Sequence, residues 1–293
     1  MKKTLAITLP LIVMTFSMFA IQSTFASALT VDILVDATRD GGTWWYPQED
    51  PFNPGSPHQG KDLADYLKSL GYLVTELSEG TTIDLDLLNQ YDIVIAIGAA
   101  GDYSEDEINA YKSYASCGGA LLLLTDHHGE RCNLLPSFGL DFRGNSVGNN
   151  DVDTFATHPI TSGVSTLTYG VGSGLISYCS DANIIGWLSE DTFIDLNDND
   201  FQDPGEPSGA PVLGYMYHGA GKIVFFGDVN GAIEAVEQPF TDNYLNWLLF
   251  AAPQPVIPEV PLGTVVASAA MIIALAAYIA MPKLRKKQIS ITP

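Results

Sequence analysis

Short apolar runs alternate with amphipathic stretches through the first half of the chain. Predominantly apolar runs, typical of buried strands, lie at 31–36, 72–77, 91–97 and 120–125. Between them, the segments 58–70 and 104–114 carry apolar residues at helical spacing. Strands that alternate with helices in this way predict an α/β fold with a mostly parallel sheet.

Local signals mark where these elements begin and end. Gly71 follows the first predicted helix as its C-terminal cap, and Ser104 with Glu107 forms a capping box for the second helix. Beyond residue 140 the helical pattern fades, and 150–215 is predicted to form short strands and loops on the flank of the sheet. A core strand at 222–228 and an amphipathic helix at 241–250 complete a doubly wound, flavodoxin-like domain over 29–252.

Both ends of the chain predict a cell-surface protein. Residues 1–28 have the basic start, apolar stretch and small-residue site of a signal peptide, with cleavage expected after Ala28 and an uncleaved anchor as the alternative. Residues 262–281 lack charges and are long enough for a transmembrane helix. A proline-rich stalk at 253–261 precedes this helix, and a basic cytoplasmic tail follows at 282–293. We therefore expect a single-pass membrane protein with an extracellular N-terminal domain.

The charge distribution narrows the partners of that domain. The chain has 34 acidic and 13 basic side chains, a formal net charge of −21, and all its acidic residues lie between Asp32 and Glu259. Such a surface repels phosphate backbones and argues against nucleic-acid binding, whereas it suits cations or a salty medium. Apolar residues make up 46% of the chain, which is enough for a packed core.

The C-terminal region resembles the PEF-type sorting signal of archaeal surface proteins. The resemblance rests on the apolar helix, the basic cluster and the preceding run Pro258-Glu259-Val260-Pro261-Leu262-Gly263-Thr264. It implies that an archaeosortase cleaves near this motif and transfers the protein to another anchor. Val260 stands where the family usually has Phe, and here the tail continues past the basic cluster.

Three cysteines, Cys117, Cys132 and Cys179, would lie in an oxidising compartment. The arithmetic expectation is one disulfide and one free thiol, with the pairing undetermined by the sequence. None of the three has the surroundings of a recognisable nucleophile.

Several segments together resemble the class I glutamine amidotransferase-like superfamily, in the non-amidotransferase branch found in motility and surface proteins. They are the first strand ending in an acid, the Gly-Gly-x-Leu-Leu-Leu fourth strand, the 133–140 segment, the step at 158–161 and the strand at 221–228. True amidotransferases place a catalytic cysteine in a sharp turn after the fourth strand. Here that turn is Leu124-Thr125-Asp126-His127-His128-Gly129. The resemblance implies the fold without glutamine hydrolysis, so enzymatic activity is uncertain and the balance favours a binding protein.

Open α/β sheets bind ligands beyond the carboxyl ends of their strands. The polar and aromatic residues expected in such a cleft are Asp36, Arg39, Trp44, Trp45, Asp102, Asp126, His127 and Asp228. A metal-dependent hydrolase using Asp126, His127 and Asp228 is one interpretation, because imidazole and carboxylate groups ligate zinc-like ions. Structural caps and loop anchors, or simple binding, are the favoured interpretation of the same residues.

The aromatic run Trp44-Trp45-Tyr46 follows the first strand. Its rings could stack on sugar rings at the ligand-binding edge. The alternative, which we favour, is that the loop folds onto the domain through its own aromatic side chains.

An acidic segment at 195–206 has the ligand offsets of an EF-hand-type calcium loop, similar also to the calcium loops of Gram-positive adhesin B-repeat domains. The predicted ligands are Asp195, Asn197, Asn199, the carbonyl of Phe201, Asp203 and Glu206. Asp200 stands where the tight turn normally has Gly, and Asp is among the residues that best tolerate a positive φ. No flanking helix pair is predicted, so a structural Ca²⁺ is expected rather than a sensor, and a solvated acidic turn is the alternative.

Taken together, the sequence predicts a membrane-anchored domain that recognises an extracellular polymer or protein without catalysis and is stabilised by calcium. The alternatives are the metal-dependent hydrolase and a structural surface-layer component that associates with itself.

Overall fold

The computed structural model describes residues 30–48, 52–149, 151–233 and 238–250. The helices are α1 (Lys61–Ser69), α2 (Leu85–Leu88), α3 (Glu105–Ser116), α4 (Leu134–Ser137), α5 (Asn230–Ile233) and α6 (Phe240–Leu249). The first strands are β1 (Asp32–Arg39), β2 (Leu73–Leu77), β3 (Ile93–Gly98), β4 (Ala120–Leu124), β5 (Leu140–Arg143), β6 (Asn145–Val147) and β7 (Asp151–Phe155). The later strands are β8 (Leu167–Thr168), β9 (Gly174–Tyr178), β10 (Asn183–Leu188), β11 (Phe193–Asp195), β12 (Pro211–His218) and β13 (Gly221–Phe226).

The predicted signal peptide, stalk, transmembrane helix and tail lie outside the described residues. Within the described ranges, no helix is both long and apolar enough to cross a membrane.

A nine-stranded sheet in the order β2-β1-β3-β4-β13-β12-β10-β7-β8 organises the domain. Its first five strands are all parallel, and their order is that of a flavodoxin-like sheet, as predicted. We call these five strands the parallel half. Every residue of β3, β4 and β13 is buried, because α1 and α6 cover one face and α3 covers the other. The uninterrupted apolar runs of these strands follow from burial on both faces.

The remaining four strands, β12, β10, β7 and β8, are antiparallel, and we call them the antiparallel half. The prediction of a mostly parallel sheet with a β-rich flank at 150–215 was therefore wrong in one respect, since these strands extend the central sheet itself. The reversal begins at a tight turn between His218 and Gly221, where Gly219 has a φ of 61°. A turn this short joins only antiparallel neighbours. Two small two-stranded sheets, β5 with β9 and β6 with β11, pack outside the main sheet.

The predicted helix boundaries hold at their capping signals. Ser104 and Glu107 form the reciprocal capping box of α3, and Gly71 has a φ of 87° after α1. The first helix starts at Lys61 rather than at residue 58, because the chain before it is held by tertiary packing. A side chain at Gly60 would overlap the indole ring of Trp44, so only glycine permits this close approach.

All three cysteines are free thiols, which corrects the expected disulfide. Each sulfur belongs to a different part of the fold. Cys117 is exposed at the end of α3, Cys132 is buried against Gly98 at the end of β3, and the Cys179 thiol contacts the carbonyl oxygen of Phe138 at 3.6 Å.

Candidate functional site

The carboxyl ends of β1 and β3 define the switch point of the sheet, where consecutive connections leave in opposite directions. The backbone N–H groups of Ala99 and Ala100 both donate to the carbonyl oxygen of Arg39, each at 2.9 Å. Gly41, with a φ of 66°, packs its backbone against Ala100. These contacts hold the loops after β1 and β3 side by side, so the predicted site residues on them share one edge of the sheet.

Asp36 lies at this edge but faces the protein interior. Its carboxylate is fully buried and accepts hydrogen bonds from the phenols of Tyr103 and Tyr111 and from the backbone N–H of Thr38. Burial and the negative charge of Asp36 raise the pKa of both tyrosines well above their usual value. Both phenols therefore stay protonated as donors, and Asp36 is a buried structural carboxylate.

Arg39 also makes packing contacts within the protein at this edge of the sheet. Its Nε donates to the carbonyl oxygen of Asp102 at 3.2 Å, and a terminal nitrogen lies 3.6 Å from the carboxylate of Glu107. The guanidinium carbon lies 5.2 Å from the centre of the Tyr103 ring, within cation–π range. The Asp102 residue itself is exposed. Arg39 thus ties the β3 loop to the start of α3.

The aromatic loop after β1 is folded into the domain, so the favoured interpretation of the sequence is confirmed and the assignment of Trp44 and Trp45 to a ligand cleft was wrong. Trp44 is fully buried and Trp45 is 3% exposed. Their indole N–H groups donate to Glu76 at 3.1 Å and to the carbonyl oxygen of Leu77 at 3.0 Å. Only Tyr46, at 64% exposure, remains on the surface.

The turn after β4 combines a nearly buried carboxylate with a half-exposed imidazole. Asp126 is 6% exposed, and its carboxylate accepts from the Thr43 hydroxyl at 3.2 Å and from the backbone N–H of His127 at 2.8 Å. The His127 ring, half exposed, has its Nδ1 at 3.3 Å from the same carboxylate. Cys132 follows nearby, but burial raises the pKa of its thiol to about 11. That thiol is protonated at neutral pH and is a poor nucleophile.

Asp228, after β13, lies beside a glycine-rich segment that sequence reasoning missed. Its carboxylate accepts from the backbone N–H of Asn230 at 2.9 Å. Burial, then the charges of Asp228 and Asp126, raise the pKa of the Tyr169 phenol well above its usual value. A Cβ at Gly172 would meet both Asp228 and the Tyr169 ring, so Asp228 lies beside this ring.

The segment from Tyr169 to Ser173 crosses the ends of β4 and β13. The Ser173 hydroxyl donates to the carbonyl oxygen of Asp126 at 2.6 Å and accepts from the N–H of Gly129 at 2.7 Å. A Cβ at Gly172 would overlap the backbone of Gly227. The glycines of this segment were the sequence signal for such a close approach.

The structure therefore divides the predicted cleft. Asp126 and His127 lie in the turn after β4 and Asp228 follows β13, whereas Asp36 is buried among tyrosines and Arg39 binds the β3 loop. Among the residues that the structure describes, no group of three or more His, Cys, Asp and Glu side chains has the geometry to hold a metal ion.

The acidic loop at 195–206 is tightly curled. The Asp195 carboxylate, buried at the end of β11, accepts from the N–H of Asn197 at 3.0 Å and of Asp200 at 2.7 Å. Burial acts to raise the pKa of Asp195, but hydrogen bonds from the backbone N–H groups of 197–200 outweigh it and hold the pKa below its usual value. The φ of Asp200 is 62°, as expected for a residue in the position of the turn glycine.

The other predicted ligands of this loop converge. The side-chain nitrogens of Asn197 and Asn199 both donate to the Asp203 carboxylate, at 2.8 and 2.7 Å. The two oxygens of Glu206 accept from the N–H groups of Leu196 and Asp203, at 2.8 and 2.9 Å. Oxygen-bearing side chains from both ends of the loop thus point into it.

This loop is docked on the turn after β4. Asp198 accepts from the side-chain nitrogen of Asn145 at 2.8 Å and lies 3.4 Å from Nε2 of His128. His128 has a φ of 57°, and its Nδ1 lies 3.2 Å from Glu130. Asp126 and His128 belong to the same turn, so the contact of His128 with Asp198 joins the acidic loop to this turn.

Comparison with protein-family models found no match, and comparison with curated proteins found none either. Among solved structures, the chain is similar to the mmIFT52 N-terminal domain, with 18% identity over 75% of this chain and 98% of that domain and a TM-score of 0.57. It is also similar to a protein described as ThuA-like from Bacteroides uniformis, with 13% identity over 77% of this chain and 94% of that one and a TM-score of 0.50. A protein described as a GMP synthase subunit from Thermoplasma acidophilum has 12% identity over 75% of this chain and 92% of that one, at a TM-score of 0.46. At these identities the likeness concerns the fold alone, and the chain accordingly has an α/β fold similar to those of the mmIFT52 N-terminal domain and the ThuA-like protein.

Proposed function

We propose that this chain is a cell-surface binding domain that recognises an extracellular polymer or protein without catalysis and is stabilised by one structural Ca²⁺ in the loop at 195–206. In this proposal, residues 262–281 anchor the domain in the membrane and an archaeosortase acts on the C-terminal signal. The ligand contacts the edge of the sheet at the carboxyl ends of the parallel strands, which we call the carboxyl-end rim, around Asp126 and His127.

The observation that carries the proposal is the curled form of the acidic loop. Calcium takes six to eight oxygen ligands in flexible geometry. Asn197, Asn199 and Asp203 meet at one point, and Asp195 and Glu206 approach from the two ends of the loop. Rotation of the two amide groups by about 180° would turn their oxygens toward an ion at that point, since such a flip exchanges the positions of the amide oxygen and nitrogen.

An ion in this loop would also stabilise the turn after β4. The loop carries five carboxylates in twelve residues, and their mutual repulsion is relieved by a divalent cation. The loop is linked through Asp198 to His128 and Asn145, so ordering the loop also orders the turn after β4. Calcium would act here on the stability of a binding surface, which suits a structural ion.

The proposal that the domain acts without catalysis is supported by the surroundings of the candidate catalytic side chains. The turn that holds the cysteine of amidotransferases contains Asp126, whose carboxylate already accepts from Thr43 and from the N–H of His127. The nearby thiol of Cys132 is buried with a raised pKa. The half-exposed His127 ring contacts the Asp126 carboxylate and the ring of His128, and neither of these groups is an activated nucleophile.

Thermal unfolding of the purified full-length chain, with and without about 1 mM calcium, tests the ion. We expect calcium to raise the melting temperature of the parent, since a ligand that binds only the folded state stabilises it by about 2.7 kcal/mol at a hundred times its dissociation constant. The variant Asn197→Ala with Asp203→Ala should lose the shift.

A matched control variant, Glu79→Ala with Asp153→Ala, removes two exposed carboxylates outside the loop and should keep the calcium shift. If calcium does not change the melting temperature of the parent, the proposal of a structural Ca²⁺ is wrong.

The hydrolase alternative is separated by metal analysis of the same preparation. Stoichiometric zinc or iron that disappears in Asp126→Ala would favour a metal-dependent hydrolase at Asp126, His127 and Asp228. Light scattering that shows concentration-dependent assembly of the parent would favour the self-associating surface-layer component.

A further inference from the structure

Four aromatic side chains form a continuous, partly exposed surface on the antiparallel half, which we call the aromatic surface: His158, Tyr215, Tyr217 and Trp247. The imidazole of His158 stacks on Tyr215 with ring centres 4.2 Å apart and an interplanar angle of 19°. Trp247 contacts both tyrosines, with ring centres at 5.2 and 5.8 Å. Tyr217 is 41% exposed, so the surface opens to solvent.

The rings are held in place by polar contacts beneath them. Lys222 donates to the carbonyl oxygens of Trp247, Leu248 and Phe250 at the end of α6, at 2.7, 3.3 and 3.1 Å. Its ammonium nitrogen lies 5.4 Å from the centre of the Trp247 ring. The His158 ring accepts from the backbone N–H of Ile160 at 3.2 Å and so caps the short helical turn at 159–161. Aromatic groups fixed in this way lose little conformational entropy when a ligand stacks on them.

A groove of about 630 Å³ adjoins the aromatic surface at His158. It is lined by residues 155–159 and 161–164, which include the hydroxyl-bearing residues Thr157, Thr161 and Ser162. The volume falls within the range of about 300–1,000 Å³ that is usual for ligand sites. Aromatic rings beside a wall of neutral hydrogen-bonding groups suit a ligand that has both apolar faces and hydroxyl edges.

We propose that the aromatic surface and this groove bind an uncharged saccharide chain. The inference goes beyond the proposed function, since it adds a second ligand site with its own ligand class. Pyranose rings present C–H faces that pack on aromatic rings, and their hydroxyl groups pair with groups such as Thr157 and Ser162. The acidic excess of the chain disfavours anionic polymers, and burial lowers the pKa of His158 so that its ring is neutral. The site lies on the face of the antiparallel half rather than at the carboxyl-end rim.

The test uses the purified full-length chain and three neutral oligosaccharides, the hexamers of β-1,4-linked glucose, mannose and N-acetylglucosamine, with an oligogalacturonate as the anionic control. Binding is measured by titration calorimetry and by tryptophan fluorescence, which Trp247 should report. We expect at least one neutral hexamer to bind and the anionic one not to bind. Loss of a stacking ring in Tyr217→Ala should weaken that binding by about tenfold.

Tyr178→Ala is the matched control, since Tyr178 is a 51% exposed tyrosine on β9, outside the aromatic surface, and should bind like the parent. Trp247→Ala should abolish binding, and Tyr217→Ala provides the decisive variant if Trp247→Ala fails to fold. Unchanged affinity in Tyr217→Ala would overturn the site, and a parent that binds none of the three neutral hexamers would overturn the ligand class. Neither result bears on the calcium-dependent melting shift, so failure of this inference and failure of the proposed function are distinguishable.

Discussion

The parallel and antiparallel halves of the sheet present different surfaces to solvent. In β3 and β4 every residue is buried, because helices cover both faces. In β12, β10 and β7 buried and partly exposed positions are mixed, since helical cover is incomplete there. The central strands of the parallel half therefore reach solvent mainly through the loops at their ends, whereas the edge strand β2 and the antiparallel half also expose side chains along their strands.

This difference explains where aromatic residues end up. Trp44 and Trp45 leave β1 within the parallel half and complete its core, although the sequence pattern of the loop also suited a ligand. Tyr215 and Tyr217, two residues apart on β12, point to the same face and remain partly exposed beside Trp247. A binding surface that depends on stacking is thus better supported on a strand face of the antiparallel half than in the loop after β1.

The largest expected effect is the loss of stability when a buried side chain is truncated in the parallel half, compared with the same truncation at a partly exposed position of the antiparallel half. Ile95→Ala, in the centre of β3, removes a fully buried side chain, and we expect it to lower the free energy of unfolding by about 3 kcal/mol. Ile184→Ala, on β10, removes a partly exposed side chain of the same type and should cost about 1 kcal/mol. Urea unfolding followed by tryptophan fluorescence measures both. Equal losses would contradict the difference in cover between the halves.

A smaller effect concerns the buried carboxylate of Glu107, on the helix α3 that covers one face of the parallel half. Burial acts to raise the pKa of Glu107, but hydrogen bonds from Ser104 and Ile83, together with the charge of Arg39, outweigh it and hold the pKa below its usual value. A carboxylate with a lowered pKa stabilises the fold above its unfolded pKa of about 4.3, and this contribution is lost as the pH falls through the folded pKa. The unfolding free energy of Glu107→Gln should therefore fall less steeply with acidification than that of the parent. Parallel pH profiles for the two proteins would refute this assignment.

The smallest effect concerns Tyr46, the exposed member of the aromatic loop. Tyr46→Ala should change the unfolding free energy by less than about 0.5 kcal/mol, because the ring is largely in solvent already. Its binding to neutral hexasaccharides should equal that of the parent. A clear loss of binding would return the ligand site to the loop after β1.

Element positions were predictable where a local signal coincided with burial. The capping box of Ser104 and Glu107 and the glycine after α1 act within one turn of backbone, so the sequence suffices to locate them. The direction of the strands after residue 150 was not predictable in this way. Apolar periodicity reports which faces are buried, and it does not report which neighbour supplies the backbone hydrogen bonds.

The candidate site was predictable only in outline. Asp126 and Asp228 follow β4 and β13, which are neighbouring parallel strands, so both residues belong to the same edge of the sheet. Nothing local indicated that Asp36 would be enclosed by two tyrosines from α3 and its preceding loop. The partners of a buried carboxylate come from distant positions in the chain, so its role depends on the packing of whole elements.

By itself the sequence determined the α/β alternation, the helix caps, the absence of a cysteine in the turn after β4 and the curled acidic loop, because each depends on neighbours within a few residues. Only the tertiary structure decided that the sheet is mixed, that Trp44 and Trp45 are buried, and that His158, Tyr215, Tyr217 and Trp247 share one surface. These features arise from contacts between residues far apart in the chain, and the free energy of burying apolar side chains selects among such contacts only when the whole domain is assembled.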